Sequence, residues 1–147
     1  MPDLSTNQER NVDLAREGLE SWIEGDREAA IATFREDIEV FVPPELGNAG
    51  SYRGLEQFRS WFEAWDEAWS DFTMEVIVME PVGERHVIAE IDSSGTGTAS
   101  GIEVGNTLGW VLGVREGRLE YLSLQPNLEA ARAHAQEREA AGTRQSG

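Results

Sequence analysis

Cysteine and lysine are both missing from this chain of 147 residues, and all twelve of its basic residues are arginine. Without cysteine there are no disulfides, no thiolate nucleophiles, no iron–sulfur clusters and no thiolate zinc sites. Without lysine there is no Schiff-base chemistry, no pyridoxal attachment and no P-loop lysine. Histidine is scarce: His86 and His134 stand alone, outside any H-E-x-x-H or similar ligand spacing, so no metal is expected and both read as surface residues. No calcium loop of the D-x-[DN]-x-[DN]-G kind and no G-x-S-x-G elbow occurs, and no cofactor is expected. Positive charge is outweighed, with 28 acidic residues against 12 basic ones and a net charge of −16. Nucleic acid and anionic membrane surfaces would repel such a chain, so neither is an expected partner. No apolar run approaches the roughly 18 residues of a membrane span. The first eleven residues lack a basic or apolar leader, which makes the cytoplasm the expected compartment.

What the chain does contain is 39% hydrophobic residues, including five Trp and five Phe, enough for one packed domain. Val12, Ala15, Leu19, Trp22 and Ile23 recur at helical spacing and predict a helix over about 6–24, with a capping box between Thr6 and Glu9. Gly25 ends it, and Asp26 is placed to cap a short second helix reaching about Phe34. Ile38 to Val42 alternates as a strand, and Pro43, Pro44, Gly47 and Gly50 mark a loop. Leu55, Phe58, Phe62, Trp65 and Trp69 then form the stripe of a long aromatic helix.

The remainder reads as four strands: Phe72 to Glu80, Arg85 to about Thr98, Ile102 to Val114, and Leu119 to Gln125. Glu116-Gly117 supplies the hairpin turn before the last of them, and Pro126-Asn127 opens a final Ala-rich helix to about Ala141. The predicted fold class is α+β, a conical curved antiparallel sheet wrapped around the long helix. Further helices stand at both ends of the chain, and the helices are segregated to one side of the sheet.

Two segments, GSYRGLEQFRSWFEAWDEAWSDF (Gly50 to Phe72) and TASGIEVGNTLGWVLGVREGRLEYL (Thr98 to Leu122), carry a resemblance. Together with the order of elements, they resemble the SnoaL-like branch of the nuclear-transport-factor-2-like superfamily. The resemblance implies a single domain over residues 5–141 with a polar tail at 142–147. It also implies a cone enclosing one apolar pocket, commonly within a homodimer, among relatives that include polyketide cyclases and ketosteroid isomerases. The catalytic residues of those relatives do not carry over. Where isomerases place an Asp base, this chain has Phe41, Val42 and Pro43; at their second acid it has Trp110, Val111 and Leu112. Where cyclases place a His, Ser93, Ser94 and Thr96 stand.

The remaining motifs are plainer. Gly95-Thr96-Gly97 with Gly101 imitates a phosphate loop, but it leads from no strand into a helix and reads as strand glycines. Glu90 and Asp92, roughly 7 Å apart on one strand face, read as a polar outer face with Ala89 and Ile91 inward. The aromatics are the richest lead. Trp22, Phe41, Trp61, Trp65 and Trp110 come from four elements that the cone brings together, and an apolar wall with few polar groups is the usual form of a ligand site. Asn106, Tyr121 and Gln125 lie on otherwise inward-facing strand faces and are expected to orient the ligand, with Tyr52 at the mouth. The expected function is therefore a pocket protein that binds or weakly transforms an apolar, ring-containing small molecule. The alternative is a non-catalytic dimeric interaction module whose cavity is filled by its own side chains. The homodimer is expected through the outer sheet face, from Phe72 onward.

Overall fold

The computed structural model of the chain describes residues 5–42, 50–98 and 101–145. Helix α1 (Thr6–Ile23) is followed by the single turn and a half of α2 (Arg27–Ile31). The N-terminal cap of α1 sits one residue earlier than Thr6: Ser5 and Gln8 exchange the reciprocal capping-box bonds. Asp26 caps α2 through Ala29 N–H as its position predicts, but α2 ends at Ile31 and Phe34 already belongs to a strand.

That strand, β1 (Phe34–Val42), starts four residues before the alternation becomes visible. The polar run Arg35-Glu36-Asp37 bulges away from the neighbouring strand and conceals its beginning. Strand β2 (Gly50–Arg53) forms a hairpin with β1, inside what the sequence suggests is loop; the proline-rich residues between them lie outside those described. The long helix α3 (Gly54–Ala68) stops one residue short of Trp69, which is extended and opens β3 (Trp69–Val82). Strands β4 (His86–Gly97), β5 (Glu103–Arg115) and β6 (Arg118–Gln125) complete an antiparallel meander, and α4 (Leu128–Gln145) runs past Ala141. The β5–β6 turn has positive φ at both Glu116 and Gly117, as a two-residue hairpin requires.

The six strands form one curved, unclosed sheet in the order β2-β1-β6-β5-β4-β3. The sheet is not wholly antiparallel, since β1 runs parallel to β6. The two strands are far apart in the chain, with β2, α3 and β3 to β5 between them, so no hairpin sets their direction. Nor do the helices share one side. Helices α1 and α3 fill the concave face, where Ala15, Phe58, Trp61 and Phe62 meet Ile38, Val40, Leu112 and Leu122. Helix α4 covers the convex face, packing Ala131 and Ala135 on Ile88, Val111 and Tyr121. Ala89 and Ile91 point inward with Leu19, leaving Glu90 and Asp92 on the outer face as their alternation predicts. Gly95 is buried strand backbone against Phe72 rather than part of a phosphate loop. Among the described residues no helix is long and apolar enough to cross a membrane.

Candidate functional site

The interior of the cone is closed by aromatic rings. Trp22 from α1 stands edge-on to Phe62 at 3.9 Å between centroids and to Phe58 at 5.7 Å. Phe58 also meets Phe34 at 5.0 Å and Trp61 at 5.9 Å. The edge-to-face pairs that Trp22 and Phe34 make are favoured by the ring quadrupoles. Arg27 lies over the outside of this cluster, 4.2 Å from the Phe62 ring, and is held there by Asp66. The space left between α1, α3 and the sheet is about 50 Å³. That is more than the 10–15 Å³ one water needs, yet well below the roughly 300 Å³ at which drug-sized ligand pockets begin. The rings thus fill the cone more completely than their number on the sequence suggests.

The lining of this cavity is unevenly covered. Phe58, Trp61 and Phe62 are buried, whereas Trp22, Phe72, Met74 and Trp110, which also line it, are half-buried. The wall is apolar apart from indole N–H groups, and that of Trp110 is buried and meets no acceptor among the described residues. A buried unmade donor costs about 1–3 kcal/mol. No carboxylate or imidazole lines the cavity among those residues, and Val111 faces α4.

The structure divides the nine residues singled out from the sequence. Trp22, Trp61 and Trp110 come together around the cavity. Tyr52 packs inward beside Trp61, with ring centroids 6.1 Å apart. The side chains of Trp65 and Asn106 lie outside the described residues. Phe41, Tyr121 and Gln125 do not point into the cone. Strand alternation sends Val40 and Val42 inward and Phe41 outward. Tyr121 borders the cavity, but its ring packs with α4 and its hydroxyl meets His134 Nε2 at 2.7 Å. Gln125 donates to Ser123 Oγ at 2.8 Å on the same outer face. The inward residues of β6 are Leu119, Leu122 and Leu124, because the bulge opposite Gly113 and Val114 shifts the alternation.

A second set of functional groups lies where the sequence gives little sign of them, beneath α4. His86 is 4% exposed rather than a surface residue. Its Nδ1–H donates to Glu139, and its Nε2 accepts from Arg138 Nε–H at 3.0 Å. The same Glu139 carboxylate accepts from the backbone N–H of Glu84 and Arg85. Burial holds the His86 imidazole below its ordinary range, against the opposing pull of Glu139. His134 is lowered too, first by burial and then by Arg138, and its Nε2 is the hydrogen-bond partner of the Tyr121 hydroxyl. The signal for this cluster is the spacing of Ala131, His134, Ala135, Arg138 and Glu139, one face of a helix.

The SnoaL-like domain family, compared as a sequence profile, matches residues 15–121. No curated protein matches the chain. Among solved structures, an NTF2-like protein from Burkholderia thailandensis superposes with a TM-score of 0.74 at 19% identity, covering 85% of this chain and 95% of that one. A candidate SnoaL-like polyketide cyclase from Jannaschia sp. gives 0.73 at 16% identity, covering 92% and 98%. TerC, co-crystallized with polyporic acid, gives 0.71 at 13% identity, covering 87% and 98%. At these identities the likeness is one of fold.

Proposed function

This chain belongs to the SnoaL-like domain family, and we propose that it binds a small apolar compound carrying one oxygen acceptor inside its cone. The observation that carries the reading is the Trp110 indole N–H, a buried donor without an acceptor among the described residues, at the edge of a largely apolar cavity. A carbonyl or ether oxygen placed there makes the missing bond, and the half-buried rings of Trp22 and Phe72 stack on its body. The 50 Å³ of present space does not hold a ring. Entry therefore requires the half-buried part of the wall to open, with Met74 the most adaptable side chain there. TerC with polyporic acid supports the reading by analogy of fold. The wall offers no proton-transfer group among the described residues, so the reading is of binding rather than acid–base turnover.

The test is a titration followed by tryptophan emission, comparing acetophenone with ethylbenzene. The ketone is expected to give a saturable change and to bind about fivefold more tightly, the worth of one neutral hydrogen bond of roughly 1 kcal/mol. Equal binding of both compounds, or no saturable change, contradicts the reading. The small volume favours a second reading, a non-catalytic dimeric module with a filled interior. A homodimer is consistent with either. Helix α4 occupies the outer face of β4 and β5, leaving Ile77 of β3 46% exposed as a contact. Light scattering at micromolar concentration should give twice the chain mass. The cytoplasm remains the proposed compartment, tested by cell fractionation.

A further inference from the structure

Across the outer face of the sheet, the register sets Arg53, Glu39, Tyr121, Gly113 and His86 in one row over five strands. The gap in that row is Gly113. A Cβ there would stand 2.9 Å from Tyr121 Cβ and 3.5 Å from His86 Nε2. Arg138 reaches down from α4 beside this gap. Its Nε–H donates to His86, and its guanidinium carbon lies 3.5 Å from the centre of the Tyr121 ring. Its terminal nitrogens meet no carboxylate among the described residues, although the chain carries 28 acids.

Arg138 also forms one wall of a cleft of about 520 Å³ between α4 and the β1–β2 hairpin, within the volume range of small-molecule sites. The floor is the half-buried ring of Phe41 with Ser51 beside it, and His134 stands next to Arg138. The charged groups facing the cleft are Arg53, Glu39 and Arg138. Arg53 is paired with Glu39, and His134 is engaged by Tyr121. Arg138 is thus the cation left to meet a ligand.

We propose that this outer cleft is a second small-molecule site, separate from the cone, for an aromatic carboxylate. The Arg138 terminal N–H groups take the carboxylate and the Phe41 ring takes the apolar body. The cation is fixed before the ligand arrives, since stacking on Tyr121 and the bond to His86 leave little guanidinium freedom to lose on binding. A neutral amide of the same shape keeps the contact with Phe41 and loses the charge-assisted pair.

The experiment is a backbone amide NMR titration of the full chain with 2-naphthoate and, separately, 2-naphthamide. The expected result is saturable shifts at Phe41, Ser51, His134 and Arg138, with the acid bound at least about tenfold more tightly than the amide. Arg138→Gln should abolish that preference, and Phe41→Ala should weaken both compounds. Equal affinity for acid and amide overturns the proposal, as does a preference that survives Arg138→Gln. Shifts confined to Trp22 and Trp110 overturn it too and place the compound in the cone. Arg138 also holds His86, so melting curves accompany each variant. Should Arg138→Gln fail to fold, the acid-to-amide ratio in the native chain and the Phe41→Ala titration decide.

Discussion

Replacing Phe58 by Ala is the sharpest perturbation of the packed cone. Phe58 is 2% exposed and touches Trp22, Phe34 and Trp61 ring to ring. Burying a Phe and then deleting it typically costs about 3–5 kcal/mol, part of it lost transfer energy and part the cavity left behind. Three ring contacts place this site towards the upper end, because each adds about 0.5–1.5 kcal/mol beyond burial. The deletion also joins the removed ring's volume to the 50 Å³ already present. The result is roughly 150 Å³, a size at which a dry apolar cavity accepts benzene. Urea unfolding of the variant should therefore show a loss of about 4 kcal/mol with unchanged m. Saturating benzene should then restore part of it and raise the melting temperature of the variant more than that of the native chain, whose cone must open to admit a ring. A loss below about 1 kcal/mol would mean that the rings are not packed as described. A normal loss with no rescue by benzene would mean that the interior collapses when emptied.

The other predictions concern the outer face. Both histidines are held below the ordinary value, so the unfolded chain binds protons that the folded one refuses. Stability should be full above about pH 6.5 and fall as pH drops below it, at up to about 1.4 kcal/mol per pH unit for buried His86 and less for half-buried His134. His86→Gln should flatten that slope, read from urea midpoints at several pH values. Gly109→Ala should cost about 1–3 kcal/mol, because its Cβ would stand 2.1 Å from the Asn127 carbonyl oxygen and 2.9 Å from Ala131 Cβ. The start of α4 must lift to admit it, so faster protease cleavage within α4 should accompany the loss.

The helices and the meander were legible in the sequence because their periods are long and uninterrupted: the aromatic stripe of α3, the alternation of β4 and β5, the turn at Glu116-Gly117. Ends and pairings were harder to read. The early start of β1 is hidden by a bulge, and its parallel pairing with β6 depends on where a distant strand lies, which no local pattern records. The cone lining was half legible for a related reason. Trp22, Trp61 and Trp110 follow unbroken periods, whereas a bulge beside Gly113 turns Tyr121, and with it Gln125, to the opposite face. His86 looks like a turn residue in sequence, and only the α4 docking that brings Arg138 and Glu139 over it makes it buried.

The central claim is that the Trp110 N–H is the polar anchor of an apolar ligand site, and the indole resonances test it directly. In a ¹⁵N-labelled chain, assigned by a Trp110→Phe variant, acetophenone should move the Trp110 indole proton downfield in a saturable titration. Ethylbenzene should leave it nearly unmoved while perturbing neighbouring rings. A Trp110 indole that stays fixed while another tryptophan responds, or a spectrum in which none responds, would contradict the account.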